Sequence, residues 1–325
     1  LNRVEGYRNF CNKIWNAARY VLMNTEEQDT GLDGGEMELS LADRWIKSEL
    51  QKTITEFEKA VETYRFDLAS NALYEFTWNT YCDWYLELSK PVLYSDEYSE
   101  AAKRGTRHTL VSVLESLMRL LHPFMPFITE EIWQKVAPLA GTFSEERPSI
   151  MLQDFPQFEA SLVDTEAEHD IEWLKKIIVG VRNIRGEMNI APGKPLDVLF
   201  RNGSDSDKER LEGNKTFLSK LAKLESIQWL EAGDEAPMSA TALAGDMEIL
   251  IPMAGLIDVE QELARLDKEA EKLEKDLQRI SGKLNNPNFT DKAPEAGVAK
   301  EKGKLDEVES TLKKIEEQRQ QLKAL

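Results

Sequence analysis

Apolar side chains recur along the first part of the chain at intervals of three and four. Phe10, Ile14, Ala17 and Val21 fall on one helical face, with Ala18 and Leu22 beside them, and the other side is polar. Gly31, Gly34 and Gly35 break this pattern, and a second helix follows with Ile46, Leu50, Ile54, Phe57, Val61 and Tyr64 at helical spacing. A third helix is predicted from Arg65 to Lys90, rich in aromatic residues whose area suits a bundle core, and Pro91 is expected to close it. The fourth carries Leu110, Val113, Leu114, Leu117, Leu120 and Leu121 and stops at His122-Pro123. Thr129 is the expected N-cap of a short fifth helix, with Glu130 and Glu131 where the helix dipole favours anions. Five helices with short loops predict an antiparallel bundle over residues 1–145.

The pattern changes between Gly141 and Asp154, where Pro138, Gly141 and Pro148 bracket a loop and Ile150, Met151 and Leu152 suggest a short strand. A second domain is expected over 146–257. Ile171, Leu174, Ile178, Val181 and Ile184 mark a helix, and Leu196 to Phe200, Ile227 to Leu230 and Met247 to Ile251 have the look of strands. A helix with Phe217, Leu218, Leu221 and Leu224 separates the first two strands, so a small α+β domain is predicted. The remainder, 258–325, has the cleanest signal. Val259, Leu263, Leu266, Ala270, Leu273, Leu277, Ile280 and Leu284 alternate steps of four and three, an unbroken heptad seam. Asn285, Asn286, Pro287 and Pro294 interrupt it, and Leu305, Val308, Leu312, Ile315, Arg319 and Leu322 resume it, predicting an antiparallel coiled-coil hairpin. Its first helix would reach about 39 Å. The fold class is therefore mainly α, with a small α+β part and a projecting arm.

Composition narrows the function classes. A chain of 325 residues with ordinary hydrophobic content can bury more than one core. No apolar run reaches the roughly 18 residues of a spanning helix, and the N-terminus lacks a signal-peptide pattern, so a cytoplasmic protein with no membrane partner is expected. The first residue is Leu and helical patterning begins almost at once, which suggests a piece of a longer chain. Cys11 and Cys82 are far apart and are expected to be reduced, and His108, His122 and His169 lack metal-ligand spacing. The net charge of −18 repels polyphosphate at long range, but from Val259 onward 14 Lys and Arg face 15 Asp and Glu, so the acidic excess lies before the tail. Any RNA binding must then come from local basic stripes and shape.

Four segments carry a family resemblance. The run RNFCNKIWNAARY from Arg8 to Tyr20 resembles the opening helix of the anticodon-binding domain of valyl-tRNA synthetases, and FTWNTYCDWYLELSK from Phe76 to Lys90 resembles its aromatic third helix. The run HPFMPFITEEIW from His122 to Trp133 is similar to a segment shared by several class I synthetases, while VRNIRGEMNI from Val181 to Ile190 and the terminal hairpin point to the valyl group. Isoleucyl enzymes typically end in a cysteine-rich zinc module, and this tail has no cysteine. The resemblance implies a monomeric tRNA-binding part of an enzyme that joins valine to its tRNA with ATP and Mg²⁺. Its partners would be valine tRNA and the catalytic domain of the same enzyme. The class I motifs His-Ile-Gly-His and Lys-Met-Ser-Lys-Ser do not occur, nor does a Gly-rich phosphate loop, so no catalytic or editing site and no cofactor of its own are expected in this stretch.

Residues able to meet RNA follow from the same helices. Arg8, Asn12, Asn16 and Arg19 form a stripe of guanidinium and amide groups, which suit phosphates and unstacked base edges. Lys13 and Tyr20 flank it as a phosphate contact and a stacking platform; an ordinary solvated face is the competing explanation. Arg182 and Arg185 could meet RNA backbone or pair with neighbouring groups. In the arm, Lys268, Lys272, Lys275, Arg279 and Lys283 form a basic run that could touch the tRNA elbow or bridge to Glu271, Glu274 and Asp276. Lys300, Lys302 and Lys304 add charge on the returning helix. A coiled-coil module that binds a protein partner, with no RNA role, is the alternative.

Overall fold

The computed structural model describes residues 2–231, 233–254, 259–285 and 295–323. Helix α1 (Asn2–Thr25) buries Phe10, Ile14, Ala17, Ala18 and Val21, as its periodicity predicts. Helix α2 (Leu41–Glu62) opens with a capping box in which Ser40 and Asp43 satisfy each other's backbone groups. The Asp43 carboxylate also accepts from Thr106 at 2.7 Å and from Tyr85 at 2.7 Å, tying the start of α2 to its neighbours. Val61 and Tyr64, assigned to the apolar face by spacing, are exposed at the end of α2, where Tyr64 adopts a positive φ.

The third helix is longer than predicted. It comprises α3 (Phe66–Glu75), a π-helical segment (Phe76–Tyr85) and α4 (Leu86–Tyr94), with Pro91 inside the last part instead of ending it. Proline removes one backbone bond there, but Leu88, Val92 and Leu93 are buried around it, and packing carries the helix through. The aromatic expectation holds for Phe76, Tyr81 and Tyr85, all buried, with the Tyr81 hydroxyl donating to the Leu110 carbonyl. Helix α5 (Glu100–Leu121) buries all six predicted leucines and valines. Gly105 lets the linker cross α5 closely, since a Cβ there would lie 2.2 Å from the Glu38 carbonyl oxygen. Helix α6 (Pro126–Ala140) starts three residues before the predicted N-cap. Pro126 supplies the first turn, and Thr129 is buried inside the helix, donating to the Met125 carbonyl.

A strap of irregular chain follows. Ile150–Leu152 is a 3₁₀ turn, not a strand: Ser149 caps it, and Glu130 accepts from the Ser149 hydroxyl and the Ile150 amide. Helix α7 (Thr165–Glu187) then buries Ile171, Leu174, Ile178, Val181 and Ile184. It is fastened to α2 at its N-terminus, where Arg44 meets Asp164 at 2.7 Å and Ser48 donates to Glu168 at 2.6 Å.

The α+β part comprises β1 (Leu196–Arg201), α8 (Asp205–Gly213), α9 (Lys215–Leu221), β2 (Leu224–Trp229), β3 (Ser239–Ala244) and β4 (Met247–Pro252). The sheet order is β2-β1-β4-β3, with β1 parallel to β2 and both other pairings antiparallel. Leu224 begins β2 instead of ending the preceding helix, and β3 is an additional strand. Helix α7 packs on β3 and β4, where Gly180 faces Ile249 and Ala242. One continuous core runs from the bundle into this sheet.

The tail forms two helices, α10 (Val259–Leu284) and α11 (Glu295–Lys323), packed on each other. Asp267 pairs with Arg319 near one end and Lys283 with Glu301 near the other, so they run antiparallel. Leu266, Ala270 and Ile315 form a small core of their own, flanked by Leu263, Leu273 and Leu312. The loop expected around Asn286, Pro287 and Pro294 lies outside the described residues.

Candidate nucleic-acid interface

On α1 the apolar stripe faces the bundle, so Arg8, Asn12, Asn16 and Arg19 are forced outward, and all four are exposed. Among the described residues Arg8 meets only Glu5, at 3.4 Å in an exposed pair, an interaction too weak to hold it from another anion. Trp15 lies in the same row, at steps of three and four from Asn12 and Arg19, and is 44% exposed. Sequence reasoning passed over it, although a tryptophan on the polar side of an amphipathic helix is the available signal. Its ring is a base-sized stacking surface between two guanidinium groups.

Lys13 and Tyr20 lie around the helix from that row, against the π-helical segment and α4. There they share a shallow groove with Asn16, Glu87 and Lys90. Lys13 is engaged within the protein: its ammonium pairs with Asp83 and sits 4.9 Å above the Trp78 ring. The Tyr20 hydroxyl is within 2.9 Å of Ser89 Oγ, and burial raises its pKa well above the ordinary phenol range. Lys90, which the sequence did not single out, sits 5.8 Å over the Tyr20 ring and pairs with Glu87 at 2.6 Å. This groove therefore offers a mixed surface, with two ammonium groups already balanced by carboxylates.

The two arginines of α7 separate cleanly. Arg182 is exposed and lies 5.7 Å over the Trp84 ring. Arg185 is buried, and its guanidinium donates to the carbonyls of Ala191, Lys194, Ala222 and Lys223 at 2.7–3.3 Å. Arg185 thus joins the loop after α7 to the turn before β2, and as an RNA contact it is corrected: its donors are spent inside the fold. Arg182 and Lys223 border a cavity of ≈ 560 Å³ beside it.

On the arm the apolar seam turns Lys268, Lys272, Lys275 and Arg279 to the outer face, where all four are exposed. Lys275 meets Glu271 at 2.7 Å and Arg279 meets Asp276 at 2.8 Å, both in exposed pairs. Among the described residues, Lys268 and Lys272 have no hydrogen-bonding or ion-pair partner. Lys283 behaves differently, reaching across to Glu301 at 3.4 Å, a carboxylate at a seam position that also binds Lys304 at 2.9 Å. Lys283 is itself exposed, so this contact links the two helices without removing it from the outward row. Lys302 is exposed, and the side chain of Lys300 lies outside the described residues.

No helix among the described residues is long and apolar enough to cross a membrane, and no group of three or more His, Cys, Asp or Glu among them is placed to hold a metal ion. Cys82 is buried, which pushes its thiol up to about 12, and Cys11 is half-buried. Residues 43–200 match the family model described as the anticodon-binding domain of tRNA ligase. Residues 258–323 match the one described as the valyl tRNA synthetase tRNA binding arm. The arm row lies wholly within the second match, whereas the α1 stripe precedes the first.

Proposed function

We propose, from the premise that this chain belongs to the valyl-tRNA synthetase family and is a tRNA-binding part of valine–tRNA ligase, that it grips one tRNA at two separate places. The α1 face, with Arg8, Asn12, Trp15, Asn16 and Arg19, receives the anticodon stem-loop, and the groove of Lys13, Tyr20 and Lys90 extends that surface. The outer row of the arm, Lys268, Lys272, Lys275 and Arg279, braces the outer corner of the same tRNA. Arg182 supplies a further backbone contact between them. The observation that carries this reading is the exposure of Lys268 and Lys272, without partners among the described residues, in the same outward row as Lys275 and Arg279.

The chemistry is positioning. Holding the tRNA at two points fixes where its acceptor end lies, so that the catalytic domain of the same enzyme, using ATP and Mg²⁺ in the cytoplasm, meets an oriented substrate. Orientation of this kind can contribute several kcal/mol to an otherwise bimolecular step. The protein acts as a monomer in this scheme. Electrophoretic mobility of valine tRNA and of an unrelated tRNA, each titrated with the chain, tests it. The expected result is tighter retention of valine tRNA, weakened when Trp15 and Arg19 are changed to Ala. Equal and negligible retention of both tRNAs would overturn it and leave the arm as a protein-docking hairpin.

A further inference from the structure

Between α2, α5 and the strap lies a half-open cavity of ≈ 400 Å³, away from the RNA-facing row of α1. Its walls include Lys47 from α2 and His108, Ser112 and Ser116 from α5. Lys47 is half-buried and, among the described residues, has no hydrogen bond or ion pair. An ammonium group withdrawn from water without a hydrogen-bonding partner is costly; the nearby carboxylates of Asp43 and Glu159 offset that cost only in part, and an anion in the cavity would reduce it further. The ring of His108 has one committed atom: Nδ1 lies 3.2 Å from the Thr30 carbonyl oxygen, which can only accept, so Nδ1 carries the proton and Nε2 remains for a ligand. Ser116 has no hydrogen-bond partner among the described residues, and Ser112 makes only a long one of 3.4 Å to Thr109.

We infer that this cavity is a binding site for a phosphate-class oxyanion, held by Lys47, His108 and the hydroxyls of Ser112 and Ser116. These groups are of the kind that converge on such a ligand: an ammonium, an imidazole that becomes a second donor on protonation, and two hydroxyls. Other charged groups lie close by. Arg119 is engaged by the Glu115 carboxylate and the Asp154 carbonyl, while the carboxylates of Glu159, on the strap, and of Asp43, one turn before Lys47 on α2, attract the Lys47 ammonium and are the groups an anion must outcompete. In the empty cavity burial holds both Lys47 and His108 below their ordinary pKa values, and the positive charge of Lys47 depresses His108 further. An anion reverses both effects. The site can take a free phosphate or a phosphate of bound RNA, since the chemistry is common to both.

The test uses the whole chain labelled with ¹⁵N-histidine, with the His108 signal assigned through a His108→Asn variant. Inorganic phosphate should shift that signal saturably and raise its pKa by about one unit, whereas chloride at equal ionic strength should not. Lys47→Met should weaken the phosphate response about tenfold, with unchanged His122 and His169 signals reporting an intact fold. Should Lys47→Met not fold, Ser116→Ala gives the same reading, with a several-fold loss expected. A response to tRNA identifies the anion as part of the RNA, and a response to inorganic phosphate alone identifies it as free; either supports the site. Equal responses to phosphate and chloride, or a phosphate response untouched by these substitutions, would overturn it.

Discussion

Arg182 and Arg185 stand three residues apart on one helix and have opposite fates. Arg185 continues the stripe of Ile171, Leu174, Ile178 and Val181 in steps of three and four, so its side chain leaves the helix on the buried side. Four carbonyl oxygens accept from it there, and two of them, those of Ala191 and Lys223, also accept a backbone amide. Arg185→Met should destabilise the protein by about 1–3 kcal/mol, because the methionine keeps the volume but takes this donor from the Lys194 and Ala222 carbonyls. Arg182→Ala should change stability by less than about 1 kcal/mol. Urea unfolding of both variants checks the contrast, and equal losses would mean that the loop does not need the guanidinium. The position of Arg185 was legible in that stripe, but a charged residue on an apolar stripe is easily set aside as surface. Lys13 and Lys283 were not separable in the same way. Their partners, Asp83 and Glu301, come from other helices, and distance along the chain carries no record of such pairings.

At the scale of elements, periodicity located the helices of the bundle and missed what depends on neighbours. Pro91 lies within α4 because buried side chains on both sides hold the helix, a force that local propensity does not contain. Strand β3 consists of Ser, Ala, Thr and Leu and has weak strand propensity, but Gly245 and Asp246 before β4 are a hairpin signal that could have revealed it. The arm shows the converse, a seam legible throughout with one residue that breaks its chemistry. Arg319 occupies a seam position, where its Nη atoms reach Asp267 at 2.7 Å and Glu316 at 2.9 Å while Nε has no partner among the described residues. A polar residue at such a position costs stability and fixes alignment, because a slipped hairpin would bury the guanidinium without Asp267. Arg319→Leu should therefore raise the thermal stability of the arm and lose its single alignment. Light scattering should show self-association through the freed apolar seam. A less stable, still monomeric variant would mean that the ion pair contributes more than leucine packing.

For the whole molecule, the distribution of charge decides how a protein of net charge −18 can hold a polyanion. Before Val259 there are 27 basic and 44 acidic side chains, whereas the arm is close to balanced and sorts its charges by face. Acids that pair across the hairpin or along α10 leave Lys268 and Lys272 in the outer row without partners among the described residues, so local positive charge there can attract phosphate despite the net charge of the chain. Each phosphate neutralised by a lysine releases counterions, and the affinity then falls with salt in proportion to the number of phosphates so neutralised. Lys268, Lys272 and Lys275 changed together to Ala should lower the slope of log affinity against log salt by about two to three, near 0.7–0.9 for each phosphate no longer neutralised. The same substitutions should leave the fold intact, since Lys268 and Lys272 have no partner among the described residues and the Lys275–Glu271 pair is exposed on both sides. Filter binding of valine tRNA between 50 and 200 mM salt, on the order of the range over which such slopes are usually resolved, measures this directly. A slope that does not change would remove phosphate from the outer face of the arm. Lys268 and Lys272 would then serve solubility alone, and the grip on tRNA would rest on α1.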